Sequence, residues 1–181
     1  NASAFTGTLR IAGSFSSDVI TGGSGNDIIY GLGGGDTLTG SGGADQFRDN
    51  TGGTVIKDFV TGTDKIGIND VDFGSTNASS AGTTLAAADY VSNRTGITSI
   101  GASDDNKVIE LQATFSTSQI QSDVGAAVQA YVIVFNSTTG KGELWMDTNW
   151  GDDGGRSLVA TFDNVVSLTG VTSFGNADFV E

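Results

Sequence analysis

Asp18, Asp27, Asp36 and Asp45 recur every nine residues, each within a glycine-rich stretch, and each is followed two places later by Ile20, Ile29, Leu38 or Phe47. A carboxylate held in a tight turn, beside backbone carbonyls that the turn points inward, is a ready source of hard oxygen ligands. Calcium takes roughly six to eight such oxygens in a flexible cage. The chain has no His and no Cys, so neither imidazole nor thiolate metal chemistry is available, and oxygen ligands are what remain.

The elements that must hold these aspartates follow from the same count. Aligned in nines from Gly13, the blocks read GSFSSDVIT, GGSGNDIIY, GLGGGDTLT and GSGGADQFR. Gly13, Gly22, Gly31 and Gly40 hold the first place, the aspartates the sixth and the apolar residues the eighth. A fixed period of this kind predicts a stacked solenoid. Six residues rich in glycine make a turn, and three make a short strand whose middle side chain faces the core. Two blocks complete one coil, so turns on one side lie 18 residues apart. Asp27 is expected to face the loop of Asp45, and Asp18 the loop of Asp36.

These blocks resemble the RTX calcium-binding nonapeptide repeats, GGxGxDxUx, which form parallel β-rolls. GGSGNDIIY matches at every defined place, whereas GLGGGDTLT and GSGGADQFR each lack the second glycine. GSFSSDVIT keeps the first glycine, the aspartate and the apolar residue, and so is read as a weak site or an N-terminal cap. The resemblance implies calcium held by Asp18, Gly22, Gly23, Gly25, Asp27, Gly31, Gly33, Asp36, Gly40, Gly42 and Asp45. The segment VIKDFVTGTDKIGI at 55–68 reads as strand, turn at Gly62 and strand, and is similar to the piece that closes the roll in serralysin-type C-terminal domains. There the resemblance adds Asp64 as a metal ligand, although Thr54 stands where that pattern has its first aspartate. The competing reading makes Asp58 and Asp64 turn residues that satisfy nearby backbone N–H groups.

Composition narrows the rest. The chain has 181 residues, 28 of them Gly, no Pro and a net charge of −13. Such an acidic surface disfavours nucleic acid and anionic membranes as partners. The longest apolar run, AYVIVF at 130–135, is too short to span a bilayer. The N-terminus has neither the basic start nor the apolar core of a secretory signal peptide. A first residue other than Met is what a fragment of a longer protein would show.

Beyond the roll, TTLAAADYV at 83–91 is expected to be helical and resembles a short element that flanks RTX repeats. In STSQIQSDVGAAVQAY at 116–131, Ile120, Val124, Ala127, Val128 and Tyr131 share one helical face, while the segment also runs into the strand-like YVIVF. The last third reads as three strands joined by a turn at STTGKG and a loop at DTNWGDDGG. It resembles the hairpin and short apolar tail that end many type I secreted proteins. The fold expected is mostly β: a short parallel β-roll over 1–69, then a β-rich C-terminal capping region over 70–181 with one or two short helices.

Asp147, Asn149, Asp152 and Asp153 form an acidic loop that is read either as a further calcium site or as a solvated turn. It is not an EF-hand, because the twelfth place from Asp147 is Leu158 rather than a bidentate Glu. Glu143 and Asp147 share a strand face but sit about 13 Å apart at 3.3 Å per residue, wider than the roughly 5–9.5 Å of a glycosidase pair. With no His beside a Ser and no Cys, no enzyme is expected. Trp145 and Trp150 beside the acidic loop suggest a sugar-stacking surface or, alternatively, core packing.

Together these features predict a calcium-binding module of an exported bacterial protein, folding on calcium outside the cell. The type I secretion apparatus, self-assembly and cell-surface polysaccharide are the expected partners. The owner is a surface-layer protein or large adhesin; the alternatives are the non-catalytic C-terminal domain of a secreted protease or lipase and a calcium-dependent sugar-binding adhesin module.

Overall fold

The structure, a computed structural model, describes residues 1–48, 52–68 and 83–180. Each three-residue strand of the N-terminal part is the last third of a nine-residue block. They are β1 (Arg10–Ala12), β2 (Val19–Thr21), β3 (Ile28–Tyr30), β4 (Thr37–Thr39), β5 (Gln46–Arg48), β6 (Thr54–Ile56) and β7 (Lys65–Gly67). Odd-numbered strands pair in parallel with odd, and even with even, at an 18-residue offset such as Ile11↔Ile29 and Ile20↔Leu38. The last step of the odd ladder is one residue longer, Phe47↔Ile66. The result is the predicted parallel roll. The eighth-place side chains Ile20, Ile29, Leu38, Phe47, Ile56 and Ile66 are its buried spine.

The roll extends one block further on the N-terminal side than the aspartate pattern indicates. In residues 4–12, AFTGTLRIA, Gly7 holds the fourth place, Leu9 the aspartate's place and Ile11 the eighth. The Leu9 N–H donates to Asp27 Oδ1 at 2.8 Å, as Asp18 N–H donates to Asp36 Oδ1 at 2.8 Å. This coil lacks an acid, and the spacing of Gly7 and Ile11 is the signal that reveals it.

The C-terminal part adds β8 (Tyr90–Arg94), β9 (Lys107–Phe115), β10 (Ala130–Asn136), β11 (Lys141–Asp147), β12 (Ser157–Phe162) and β13 (Phe179–Val180). It continues both ladders of the roll. β12 pairs in parallel with β6 and β13 with β7, placing Phe162 beside Ile56 and Phe179 beside Ile66. The sheets therefore run β1-β3-β5-β7-β13 and β2-β4-β6-β12-β11-β10-β9-β8. The roll spine, Phe59, Tyr131, Leu144, Phe162, Phe174 and Phe179 form one buried cluster. The alternate residues of β9–β11, including Ile109, Val132, Val134 and Trp145, enter a second cluster with Trp150 and Ile120. Period-two alternation thus buries both faces of β10.

The expected helix at 83–91 does not form. Thr84 bridges Val180, the Leu85 N–H donates to the Phe179 carbonyl, and only Ala87–Asp89 makes a single 3₁₀ turn before Tyr90 enters β8. Burial of Leu85 and of the Tyr90 ring against Phe179 outweighs the weak helical preference of the alanines. The helix expected over 116–131 is cut to α1 (Thr117–Ser122), capped by Ser116 and Gln119. Beyond it the Gly125 N–H donates to the Trp150 carbonyl and the Ala126 N–H to the Ile100 carbonyl, so tertiary backbone bonds take the segment out of the helix. A second short helix, α2 (Leu168–Val171), brings Val171 into the first cluster. No described helix is long and apolar enough to cross a membrane.

Candidate calcium site

The sixth-place carboxylates brace the turns one above another. Asp45 Oδ1 accepts from the Asp27 N–H at 2.8 Å, and Asp64 Oδ1 from the Asp45 N–H at 2.9 Å. On this side Asp27, Asp45 and Asp64 form a continuous stack, exposed by only 0%, 1% and 3%. On the other side Asp18 and Asp36 are joined in the same way, and buried Thr54 holds the following place. The predicted partners Asp27 with Asp45 and Asp18 with Asp36 are neighbours in the structure. Asp64 belongs to the Asp45 side, with Oδ2 accepting from the Val60 N–H at 2.8 Å. Asp58 caps the start of the Asp45 turn, taking the N–H groups of Gly40 and Ser41 at 2.9 and 2.8 Å.

The first-place glycines are required by crowding of oxygens. A Cβ on Gly22 would lie 2.5 Å from Asp27 Oδ2 and 2.7 Å from the Gly40 carbonyl, and one on Gly13 would lie 2.8 Å from both Asp18 Oδ2 and the Gly31 carbonyl. At each cradle a carboxylate oxygen of one coil meets a carbonyl oxygen of the next. Gly25 is needed for close stacking, since its Cβ would lie 2.3 Å from the Gly7 carbonyl. Gly23 gives its N–H to Asp27 Oδ2 and accepts from the Gly42 N–H.

In the third and fourth blocks, where Leu32 and Ser41 hold the second place, the turn has another shape. Leu32 and Ser41 sit at φ 77° and 75°, and Gly33 at φ 117°. In the first two blocks the second-place N–H closes on its own aspartate, Ser14 on Asp18 and Gly23 on Asp27. Ser41 instead turns its N–H to Asp58. Asp36 Oδ2 is buried without a hydrogen-bond partner.

This donor set fits calcium. It is all hard oxygen, it places carboxylate and carbonyl oxygens in shared cradles, and it leaves one buried carboxylate oxygen unsatisfied. Among the described residues no three acidic side chains converge, so carbonyls must complete the coordination. Asp27 and Asp45 with the Gly40 carbonyl would hold an ion on one side. Asp18 and Asp36 with the Gly31 carbonyl would hold one on the other. Calcium bound there neutralises the stacked charge and ties adjacent coils together.

The acidic loop is arranged differently. Asp147 is buried, and its Oδ1 accepts from the Asn149 N–H at 3.0 Å. Its Oδ2 faces Arg156 Nε at 3.5 Å. Asn149 points its amide N–H at Asp152 Oδ2, 2.7 Å away, and Asp152 Oδ1 caps Gly154, while Asp153 is exposed. Asp147, Asn149, Asp152 and Asp153 are therefore not gathered around one point. The buried Arg156, 4.5 Å above the Trp150 ring, is the cation of this loop, and reading the loop for acids alone missed it. Trp145 and Trp150 are 5% and 0% exposed, so they are core residues and offer no sugar-stacking surface. Glu143 is buried and takes hydrogen bonds from Asn136, Thr139 and Trp145.

Without a cation, burial pushes the Asp45 carboxyl up to about 6; the Asp27 N–H opposes this, and Asp64, Asp27 and Asp58 add repulsion. Burial likewise raises Asp64. A raised folded-state pKa means that the calcium-free fold holds its proton more tightly than the unfolded chain does. That contribution to stability is full below the ordinary value of 3.8 and is lost as pH rises toward about 6. Calcium must displace the same proton, so its affinity falls as pH drops below about 6. Calorimetry in buffers of different ionisation enthalpy should find protons released on calcium binding at pH 5 and nearly none at pH 8. Equal release at the two values would contradict this.

A family model of the RTX calcium-binding nonapeptide repeat matches residues 11–47 in four copies. No curated protein matches the chain as a relative. The nine-residue register, the oxygen-lined cradles and this match agree, and residues 11–47 are RTX repeats, which bind calcium ions.

Proposed function

We propose that the chain is a calcium-triggered folding module of an exported bacterial protein, carried through a type I secretion channel and used outside the cell for surface assembly or attachment, as in a surface-layer protein or large adhesin. The observation that carries this reading is the buried stack of Asp27, Asp45 and Asp64 in a chain of net charge −13. Buried carboxylates stacked one above another repel their neighbours until a cation binds between adjacent coils. In a cytosol poor in calcium the roll stays loose enough to be exported. Millimolar calcium outside fills sites of the weak extracellular class, roughly 10⁻⁴–10⁻³ M, and binding becomes folding free energy. The module is non-catalytic in this reading: Glu143 is fully hydrogen-bonded within the hairpin, and Asp147 faces Arg156.

Two probes report on different parts of the chain. Both tryptophans lie in the second core, away from the roll, so their emission follows the cap. Far-ultraviolet circular dichroism follows the roll as well. On titration from excess chelator into millimolar calcium, β signal should rise, and magnesium should replace calcium poorly because it demands a tight octahedral shell. A chain already fully folded and equally heat-stable in chelator would refute the folding switch.

A further inference from the structure

The outer face of the five-stranded sheet is positively charged on a strongly acidic protein. The strands β1, β3, β5, β7 and β13 read RIA, IIY, QFR, KIG and FV, without one acidic residue. Their middle residues face the core, which turns Arg10, Tyr30, Gln46, Arg48 and Lys65 outward. Arg94, Arg156, Lys57 and Lys141 form salt bridges, whereas among the described residues Arg10, Arg48 and Lys65 form none. Lys65 donates to the Ala177 carbonyl, and its charge favours the buried Asp64 carboxylate. Arg10 lies 4.8 Å from the centre of the Tyr30 ring. Among the described residues Arg48 Nη2 donates to Gln46 Oε1 at 3.4 Å, and its buried Nε has no hydrogen-bond partner. Its stem crosses Gly67, where a Cβ would be 2.6 Å from Arg48 Cγ.

We propose that this face binds an anionic, uronate-bearing polysaccharide chain. The cations stand on the first, third and fourth strands of a parallel ladder, a line about 14 Å long at roughly 4.8 Å per strand. Tyr30 on the second strand holds the Arg10 guanidinium over its ring, and the Gln46 amide supplies hydrogen bonds to hydroxyls. Charge selects the polymer. Duplex nucleic acid carries a charge about every 1.7 Å and is repelled by the rest of the protein. A polysaccharide with a carboxylate on alternate sugars meets the three cations and little of that repulsion. The acidic flank of a second copy is the competing occupant.

The inference stands on the face alone, independently of the role proposed above. The test uses the full chain in millimolar calcium, shown by circular dichroism to be folded, with hyaluronan oligosaccharides as the probe. Calorimetry should detect binding that weakens with salt and is absent with neutral dextran. Arg10→Gln/Arg48→Gln/Lys65→Gln should weaken it at least about tenfold, the combined effect expected of three surface charge contacts, one exposed and two half-buried. Thr21→Ser/Thr39→Ser on the opposite sheet should leave it unchanged. No binding by the folded chain, equal binding by the triple variant, or equally tight binding of single-stranded DNA would overturn the proposal. So would self-association in sedimentation that the triple variant abolishes.

Discussion

Asp45→Ala is expected to weaken calcium binding on the Asp27 side at least 10- to 100-fold, roughly the loss seen when even the supports of a metal ligand are removed. Asp45 does two things there. It is one of two carboxylates facing the cradle between adjacent coils, and its Oδ1 holds the buried Asp27 N–H. Alanine removes a ligand and leaves that N–H without a partner, in a turn whose glycines resist no alternative conformation. Asp27→Ala removes the other carboxylate of the same pair together with the Leu9 and Gly23 bonds. Because one ion needs both, the double variant should lose little more than either single change. Asp36→Ala should leave that ion nearly untouched and weaken the one between the Asp18 and Asp36 coils. Calcium calorimetry on the four variants decides the matter: fully additive losses for Asp27 and Asp45 would mean that they do not share an ion.

The roll was legible in the sequence because its physics is local and periodic. One place must be glycine, one must be acidic and one must be apolar, and the stacking partner is always 18 residues away. The degenerate coil at 4–12 carries no acidic signal because Leu9 stands in the aspartate's place, and its backbone keeps the pattern. The cap obeys no such period. Whether 83–91 becomes a helix was decided by Val180 and Phe179, almost a hundred residues on, and the length of α1 by backbone bonds to Ile100 and Trp150. Those partners are set by the closed fold, where packing outweighs propensity. The acidic loop shows the same limit. Its acids are obvious in the sequence, but the cation that matches them, Arg156, looks like an ordinary loop residue until the chain folds over it.

That arginine carries the other large effect. Arg156→Met should destabilise the cap by about 3–5 kcal/mol, the usual cost of breaking one half of a buried ion pair. The Arg156 side chain is 1% exposed. Its guanidinium lies over the Trp150 ring, reaches the carbonyls of Ile120, Asp123 and Asp152, and faces Asp147. Burial pulls its pKa down from the ordinary arginine value, while the charges of Asp147, Asp152 and Asp123 oppose that pull. Methionine keeps much of the apolar volume over Trp150 but leaves Asp147 as an uncompensated buried charge and three carbonyls without their donor. Urea unfolding followed by tryptophan emission at saturating calcium should show the loss directly, because Trp150 lies beneath the substituted side chain. Asp147→Asn, by contrast, keeps the shape of the loop and should leave the number of bound calcium ions unchanged, since Arg156 already supplies the charge that an ion would bring. A drop in that number would return the loop to the calcium sites, and an Arg156→Met chain as stable as the parent would show that the guanidinium organises nothing.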